Sequence, residues 1–475
     1  MIDLLLGFVV VLGVIVPVSI ALHEVGHLVP AKRFGVRCTQ YMIGFGPTVW
    51  STTRGETEYG IKAIPLGGYV RMIGMFPPAA ALPGQACQIA DGSQVAKGAP
   101  VAEVAGVSDG SGVHPAGRSE GAGRFGTLID AAREDAQREI GPEDADRLFY
   151  QRSIPKRLVI MLGGPVMNLV IAVTLLAGLL TIYGVHQPST TVATVSQCSK
   201  AAAAVTAAEP TCGAGDPVSP ASAAGIRPGD TIVGWNGVPV SAWSQVRDLI
   251  RSDTGTTPVT VTVLRGDQRL TLTTTLLVGP RAALDADGNL VKKADGSYET
   301  VSAGFFGVSP TEPLVRQSIT TVPAVVGTGL VQTADLVLNI PQKMVGVAQA
   351  AFGGRQRDPN GPMSLVGVGR VAGDMAGAQS VGDKIVGWLT IAVSLNMALF
   401  VFNLIPLLPL DGGHVAGALW EGLRRQVARL RGRSDPGPVD IARLLPLTYA
   451  VVSLLIVMSV LLMYADIVNP VKLGG

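Results

Sequence analysis

Two histidines and a glutamate lie within five consecutive residues of an apolar stretch near the N-terminus. His23, Glu24 and His27 form an H-E-x-x-H pattern, and a spacing of four puts both imidazoles on the same face of a helix. Two such imidazoles are zinc ligands, and a glutamate beside them serves as the general base of a metalloprotease. Ionisable groups inside an apolar span are costly unless they are paired or coordinated, which argues against a chance match. The pattern therefore predicts a zinc site within the membrane, near its inner face.

A catalytic zinc needs a third protein ligand and leaves a fourth position for water. Asp411 is the acidic residue at the inner end of a later apolar segment, at the depth expected for the two histidines. Pro406 and Pro409 precede it, and prolines there would break the helix and leave irregular backbone lining a protein cavity. Asp411 is therefore the predicted third ligand. Two alternatives remain open: Asp411 caps the helix that follows, or His414 is the ligand instead.

The elements that must carry these residues are membrane-spanning helices. The chain of 475 residues is 48% hydrophobic and only 15% charged, with a mean hydropathy of +0.40, whereas soluble domains carry roughly a quarter charged residues. This composition excludes a disordered chain, a disulfide-dense scaffold and a simple cytosolic enzyme. The net charge of +2 gives no electrostatic footprint for a nucleic acid. Four segments contain the roughly 20 apolar residues needed to cross the hydrocarbon core, and the first lacks the basic start of a secretory signal.

The orientation of these segments follows from the basic residues near their ends, which favour the cytoplasmic side. Thirteen lysines and arginines lie on one side and four on the other, so both termini are predicted to be extracytoplasmic in a multi-pass plasma-membrane protein. The predicted organisation, in chain order, is transmembrane helix 1 within 1–30, a cytoplasmic region at 31–157, transmembrane helix 2 at 158–184, an extracytoplasmic region at 185–320, an amphipathic membrane-associated segment at 321–384, transmembrane helix 3 at 385–408, a cytoplasmic loop at 409–444 and transmembrane helix 4 at 445–466.

Three stretches outside the spans have distinctive patterns. Residues 41–75 form short β-like runs broken by glycine, which predicts membrane-associated β-hairpins on the cytoplasmic side. An exposed edge at 59–72 would hold an unwound substrate by strand addition, although a purely structural hairpin remains the alternative. Residues 77–123 are rich in Ala, Gly, Pro and Ser and are predicted to be a disordered insertion. Residues 217–279 contain several short strands around one helix.

The two polar motifs together resemble those of the site-2 proteases, zinc metalloproteases that cut inside the membrane. The segments that carry the resemblance are H-E-x-x-H at 23–27, in the first span, and N-x-x-P-x-x-P-L-D-G-G at 403–413, in the third. Residues 65–70 look like the family's membrane-associated β-loop, and 163–168 look like its G-P-x-x-N motif. Residues 225–237 look like the core of a PDZ domain.

This resemblance implies a fold and an activity. The implied fold class is a polytopic α-helical membrane protein with four transmembrane helices, a cytoplasmic-side membrane-associated β-hairpin region and an extracytoplasmic PDZ-like α+β domain at about 217–310. A single PDZ domain and an Ala- and Pro-rich composition are most similar to actinobacterial members. The implied function is regulated intramembrane proteolysis, in which a site-1 protease trims a membrane-anchored anti-sigma factor outside. This enzyme would then cut the remaining transmembrane stub within the lipid bilayer.

The resemblance also implies roles for individual residues. Zn²⁺ is the expected cofactor, with His23, His27 and Asp411 as ligands and Glu24 as the catalytic base. Asn403 is expected to act in catalysis by positioning the substrate, because its amide can hydrogen-bond an oxyanion or the substrate backbone. The residues expected to bind substrate are Gly67, Gly68, Tyr69, Asn168 and Pro406. For Asn168, packing between helices remains the alternative.

A function of another class, a non-enzymatic membrane receptor whose PDZ-like domain binds peptide C-termini, is the main alternative. It explains 217–279 but not the polar residues inside two spans. The cysteines add one question about the extracytoplasmic region. Cys38 and Cys87 are predicted to be cytoplasmic and reduced, whereas Cys198 and Cys212 are external and either form a disulfide or remain free thiols.

Overall fold

The structure is a computed structural model in which two compact units can be described. It describes residues 2–75, 77, 138, 140–199, 212–213, 215–284, 291, 298–353, 357, 361–377 and 380–470. Apart from residue 77, the insertion predicted at 77–123 lies outside these described residues. Unit 1 comprises Met1–Thr174, Thr328–Pro341 and Met363–Met463, and unit 2 comprises Leu175–Gly327, Gln342–Pro362 and Tyr464–Gly475.

Most of the long helices have apolar sequences, and prolines lie near several helix ends. The α-helices are α1 (Ile2–Val10), α2 (Val16–Arg33), α3 (Ile154–Gly178), α4 (Pro220–Ala223), α5 (Trp243–Ser252), α6 (Val322–Leu338), α7 (Ile340–Phe352), α8 (Leu365–Ala376), α9 (Val381–Asn403), α10 (Asp411–Leu430) and α11 (Leu445–Val468). A π-helical turn at Val11–Ile15 joins α1 to α2, and another at Leu179–Tyr183 extends α3. Pro17 follows the first π-helical turn within one continuous helical stretch, where its missing N–H removes a helical hydrogen bond.

By length and composition alone, five helices among the described residues could cross a membrane. They are Leu5–Arg33, Ile154–Tyr183, Ile319–Leu338, Val381–Asn403 and Ile441–Val468. Four of them correspond to the predicted spans. The additional helix, Ile319–Leu338, falls in the segment expected to be amphipathic, and Asn339 separates it from α7. Gln332 and Asp335 interrupt its apolar run, which is why the sequence did not indicate a span there.

Strands form one long hairpin in unit 1 and several short sheets in unit 2. The strands are β1 (Cys38–Arg54), β2 (Thr57–Met72), β3 (Val185–His186), β4 (Val192–Val195), β5 (Thr231–Trp235), β6 (Val238–Pro239), β7 (Val259–Arg265), β8 (Gln268–Thr274), β9 (Leu277–Ala282), β10 (Thr300–Phe305), β11 (Val308–Pro310) and β12 (Leu314–Val315). In unit 2 a four-stranded sheet has the order β6-β5-β7-β8, and β9 pairs with β10, β4 with β11 and β3 with β12.

The hairpin of β1 and β2 folds back so that its parts pair more than once. Residues 40–43 pair with 58–61 and also with 68–71, and 51–54 pair with 57–60. The backbone at 59–61 therefore already lies between two other runs of strand. The expectation of an exposed edge at 59–72 is wrong for these residues, because a strand paired on both sides has no hydrogen-bonding edge to offer. Residues 68–72 form the outer run of the hairpin, which is paired on one side.

A buried cluster fixes this hairpin against α2 and α3. Its members are Leu28, Ala31, Val36, Cys38, Tyr41, Val70, Met72, Phe149, Ile160 and Met161. The hydroxyl of Tyr41 donates a 2.8 Å hydrogen bond to the carbonyl of Ala21 in α2, and burial raises the pKa of Tyr41 to about 12. Burial likewise raises the pKa of the Cys38 thiol to about 11, so this cysteine is inert packing. The outer run of the hairpin thus lies beside α2.

Unit 2 has a conventional apolar core beneath its four-stranded sheet. The core is built from Val192, Ala221, Ile226, Ile232, Trp235, Val240, Val246, Ile250, Val259, Val261, Val263, Leu276 and Phe306. The rings of Trp235 and Phe306 meet edge to face, with centroids 5.2 Å apart, a favourable arrangement of two aromatic side chains. Before this sheet, Cys198 and Cys212 form a disulfide with their Cα atoms 5.9 Å apart. Of the two alternatives for these cysteines, the structure has the disulfide.

Candidate metal centre

Three side chains from two helices bring one potential ligand atom each to the same point. Nε2 of His23 lies 3.2 Å from Nε2 of His27, and Oδ2 of Asp411 lies 3.3 Å and 3.4 Å from these two nitrogens. A point equidistant from three atoms at such separations lies about 1.9 Å from each of them, close to the zinc–ligand bond lengths of roughly 2.0–2.2 Å. The residues predicted from two distant motifs therefore converge on a space of the size of one metal ion.

The donor set fits zinc chemically as well as geometrically. Oδ2 of Asp411 is buried and has no hydrogen-bond partner, which is costly for a carboxylate oxygen unless a cation lies beside it. Two imidazoles and one carboxylate are a known ligand set of catalytic zinc sites. The group of ligand atoms that lie within 4.8 Å of one another consists of His23, His27 and Asp411. His414 is not part of it.

Each imidazole has a partner at its other ring nitrogen. Nδ1 of His27 lies 2.8 Å from the carbonyl oxygen of Ile160, so it must carry the proton, which leaves the Nε2 lone pair for a metal. Nδ1 of His23 lies 3.0 Å from the side-chain amide of Asn168, whose Oδ1 is buried without a partner. Turning this amide over gives its oxygen to the Nδ1–H of His23 and likewise leaves Nε2 for a metal. Asn168 was expected to bind substrate, but its described contact is with His23.

The turn before α10 delivers Asp411 to the two histidines. Asp411 is the first residue of α10, and Leu410 occupies the capping position without a side-chain hydrogen bond, which argues against Asp411 as a helix cap. Two glycines follow Asp411 and allow the helix to begin against the preceding turn. A Cβ on Gly412 would overlap the carbonyl oxygen of Ile405, and a Cβ on Gly413 would lie 2.7 Å from a backbone nitrogen.

Glycines also bring α2 and α3 into direct backbone contact beside the histidines. A Cβ on either Gly26 or Gly163 would overlap the carbonyl oxygen of the other glycine. A Cβ on Gly164 would overlap Nε2 of His27 and would lie 2.7 Å from Nε2 of His23. The backbone of α3 therefore forms one wall of the metal centre, and only glycine fits there.

Glu24 lies between the histidines and the outer run of the hairpin. The Glu24 side chain is buried. A Cβ on Gly68 would lie 3.1 Å from Cγ of Glu24 and 2.8 Å from Cγ2 of Ile20, so this strand passes close to α2. The outer run of the hairpin therefore lies directly beside the expected general base.

Comparison with known proteins identifies the family to which this arrangement belongs. The model of peptidase family M50 matches residues 8–435. The chain belongs to peptidase family M50. It is 30% identical over 468 residues to the zinc metalloprotease Rip1 of Mycobacterium tuberculosis, covering 98% of each chain. It is 31% identical over 478 residues to Rip1 of Mycolicibacterium smegmatis, again covering 98% of each.

A more distant relative gives the same result. The zinc metalloprotease RasP of Geobacillus kaustophilus is 28% identical over 440 residues, which cover 88% of this chain and 90% of the relative. This M50 chain is therefore a zinc metalloprotease of the site-2 protease family, similar to actinobacterial members, and zinc is its cofactor. Its apolar helices make it a multi-pass membrane protein.

The other residues of this M50 chain that were predicted to act in catalysis or to bind substrate differ in their positions and contacts. Asn403 is the last residue of α9 and Pro406 is exposed in the turn before α10. Among the described residues, neither makes a polar side-chain contact with the three ligand atoms. Gly67 has a φ of 98° and packs on the ring of Phe45. The hydroxyl of Tyr69 donates to Oε1 of Gln40 over 3.2 Å, within the sheet.

Sequence reasoning missed a buried ion pair that joins α10 to α3. Nη2 of Arg157 lies 2.5 Å from Oε1 of Glu421, and both side chains are almost fully buried. Glu421 also accepts a 3.1 Å hydrogen bond from the backbone N–H of Val439 and lies 3.1 Å from Arg425. Because α10 begins at Asp411, this ion pair holds the helix that carries one candidate zinc ligand against α3, which forms one wall of the metal centre. The available signal was a glutamate ten residues after Asp411, on a helix rich in arginine.

Proposed function

We propose that this zinc metalloprotease cuts transmembrane segments of single-span proteins whose outer domains have already been removed. His23, His27 and Asp411 are the proposed zinc ligands and Glu24 is the proposed base. The observation that carries the proposal is the convergence of three ligand atoms supplied by helices α2 and α10, the first of which belongs to a membrane-spanning segment. Anti-sigma factors are the proposed substrates, and the function is regulated intramembrane proteolysis.

The residues around the centre have distinct tasks in this reaction. Bound zinc supplies a Lewis acid that polarises the scissile carbonyl and acidifies water. Glu24 accepts the proton of the attacking water at its carboxylate and passes it to the nitrogen of the leaving amine. The partners at Nδ1 of His23 and His27 hold the imidazoles in the tautomer that binds metal.

A substrate helix must unwind before its peptide bond becomes accessible, and the outer run 68–72 is the proposed partner of the unwound chain. An extended peptide added to this edge would pair with its backbone. Gly68 supports this placement, because its lack of a side chain lets the outer run itself pass close to Glu24. Asn403 and Pro406, in and before the turn that leads to Asp411, are proposed to hold the other side of the peptide.

The proposed topology has four spans, with both termini and the strand-rich region outside the cell. The strand-rich region at about 217–310 is proposed to be a PDZ-like domain that excludes substrates with bulky outer domains and binds the carboxyl terminus left by a site-1 protease. The density of basic residues near the span ends supports the orientation. The small sheet with one packed helix, α5, supports the PDZ-like assignment.

The test is Glu24→Gln in the full-length protein, in cells and after purification. We expect truncated single-span membrane proteins to accumulate in the cells. We also expect cleavage of such a stub by the purified variant to fall by roughly 10²–10⁴-fold, with about one zinc retained per chain. Glu143→Gln, which changes an exposed glutamate, is the matched control and should cut normally. Undiminished cleavage by Glu24→Gln would refute Glu24 as the base, and absence of any cleaved stub with the unmodified enzyme would favour the receptor alternative.

A further inference from the structure

Helix α10 carries a feature that the proteolytic reaction does not use. Beyond Glu421, the helix and the chain that follows it form a cleft of about 390 Å³. Trp420, Leu423 and Val427 form its apolar wall, and Arg424, Arg431 and Arg433 lie around it. Trp420 is nine residues after Asp411, about 13 Å along the helix axis. The cleft is therefore separate from the metal centre but lies on the same helix.

The two sides of α10 differ sharply in polarity and burial. Glu421 is buried against Arg157 on one side, whereas Trp420 and Leu423 on the other are 56% and 51% exposed. Leu419 and Leu430, at helical spacing from Leu423, are exposed as well. An exposed apolar face flanked by arginines is typical of a helix that lies in the interface of a bilayer. Only residues 404–410 separate α10 from α9, which is long and apolar enough to span a membrane, so this face belongs to a helix next to a candidate span.

Two guanidinium groups at the cleft have no neutralising partner among the described residues. Through residues 380–470, which are all described, the side chains of Arg431 and Arg433 make no ion pair or hydrogen bond. Their neighbours differ in this respect. Arg425 pairs with Glu421 and Asp435, and Arg424 donates to the carbonyl oxygen of Pro436 over 3.2 Å. A guanidinium binds phosphate oxygens through two parallel N–H donors, so the cleft offers both an anion-binding rim and an apolar wall.

We propose that this cleft binds an anionic phospholipid of the surrounding bilayer. Arg431 and Arg433 contact the headgroup phosphate, and the acyl chains lie along Trp420, Leu423 and Val427. The anion-binding rim and the apolar wall together favour a phospholipid over a free phosphate ion, because a free phosphate has no acyl chain to contact the apolar wall. The inference does not depend on proteolysis. It assigns a lipid site to the helix that also carries Asp411.

The test is lipid binding to the purified full-length protein in a neutral detergent, measured by native mass spectrometry. Titration with phosphatidylglycerol should show one site that binds at least about tenfold more tightly than phosphatidylcholine. Each arginine near an anionic headgroup contributes roughly a fivefold factor. The double variant Arg431→Gln/Arg433→Gln should therefore lose about thirtyfold of the affinity for phosphatidylglycerol, and Trp420→Ala should weaken both lipids.

The matched control is Arg429→Gln/Arg443→Gln, which removes the same charge from residues outside the cleft and should bind phosphatidylglycerol normally. Zinc content and thermal unfolding of every variant should equal those of the parent protein, which shows that the cleft variants are folded. Equal binding of the two lipids would overturn the proposal. So would displacement of phosphatidylglycerol by millimolar inorganic phosphate, which would indicate a simple anion site, or an equal loss in the control variant.

Discussion

Unit 2 contains the buried carboxylate of Asp230 and unit 1 contains that of Asp411, and the two carboxylates differ in their hydrogen-bond partners. In unit 2, both oxygens of Asp230 are paired with the guanidinium of Arg265 at 2.7 Å, and one also accepts the backbone N–H of Arg227. In unit 1, Oδ2 of Asp411 faces two imidazoles and has no hydrogen-bond partner. The charge of the Asp230 carboxylate is balanced by a guanidinium of the protein. The buried Oδ2 of Asp411 gains a partner only when a cation binds.

The structure around each of the two carboxylates differs as well. The strand-rich unit relies on the volume of an apolar core, so small changes there are expected to alter stability. The metal centre relies on close backbone contacts at Gly26, Gly163 and Gly164, so the addition of a single carbon is expected to alter chemistry. A change in an apolar core lowers stability according to the volume that is lost, whereas a metal centre requires ligand atoms held within about 0.5 Å. The following substitutions test this contrast, from the largest expected effect to the smallest.

Gly164→Ala should have the largest effect. The added Cβ overlaps Nε2 of His27, so the imidazole must move away from the position at which it meets the other ligand atoms. We expect zinc affinity to fall by more than about 100-fold, beyond the loss that follows removal of a supporting hydrogen bond. Zinc content after dialysis against a competing chelator measures the change.

Gly178→Ala is the matched control for this prediction. Gly178 belongs to the same helix, and nothing lies within 4 Å of a Cβ placed there. Alanine in a helix interior is favoured over glycine by roughly 1 kcal/mol, so this variant should bind zinc fully and unfold no earlier. If Gly164→Ala kept zinc affinity within a factor of two of the control, the backbone wall would not constrain the ligands.

Asn168→Leu should have an intermediate effect on the same centre. It leaves Nδ1 of His23 without its partner in a buried site, and loss of such a supporting contact costs roughly 10–100-fold in metal affinity. Asn168→Asp keeps an oxygen acceptor and should restore most of the affinity. Equal losses in both variants, measured by zinc competition, would indicate that Asn168 acts through packing between helices rather than through the hydrogen bond.

Asp230→Asn should have the smallest effect, and only on stability. The Arg265 guanidinium holds the pKa of the Asp230 carboxyl below its usual value, so the ion pair stabilises the fold above pH about 4 and is lost as pH falls through the lower, folded-state pKa. At pH 7 we expect hydrogen exchange of β5 and β7 in the full-length protein to report a loss of about 1–3 kcal/mol. The difference from the parent should shrink below pH 4.

The control for this prediction is Asp267→Asn, at the exposed turn between β7 and β8. It should leave exchange unchanged at every pH. Zinc content should remain at about one ion per chain in both variants, because neither residue contacts the metal centre. A loss of zinc in Asp230→Asn would show that the two units do not divide stability and chemistry as proposed.

The sequence was sufficient to identify the candidate metal ligands, because their residue types and spacing are visible in two short motifs. The spacing of His23 and His27 on one helix, and the acidic Asp411 at the end of an apolar run, predicted three ligand atoms that the structure brings together. The contact of Gly164 with both imidazoles was not predictable, because it depends on how two distant helices cross. The close approach of Gly68 to Glu24 was not predictable either, since it depends on how the hairpin packs against α2.

Two other differences have similar causes. Alternation of residues predicts strands at 59–72 but not how many neighbours each strand has, so the pairing of 59–61 on both sides was missed. The helix Ile319–Leu338 was not recognised as long and apolar enough to span a membrane because polar residues divide its apolar run. The separation of Cys198 and Cys212 allowed a disulfide, and only the fold brings them together.

The contact between Gly26 and Gly163 restricts how the enzyme can move. Each glycine faces a carbonyl of the other helix, so a shift of α2 along α3 by a single residue would drive a neighbouring side chain into backbone. These two helices are therefore expected to behave as one rigid part during a catalytic cycle. A substrate chain is therefore expected to reach the zinc ligands without any change in the spacing of α2 and α3.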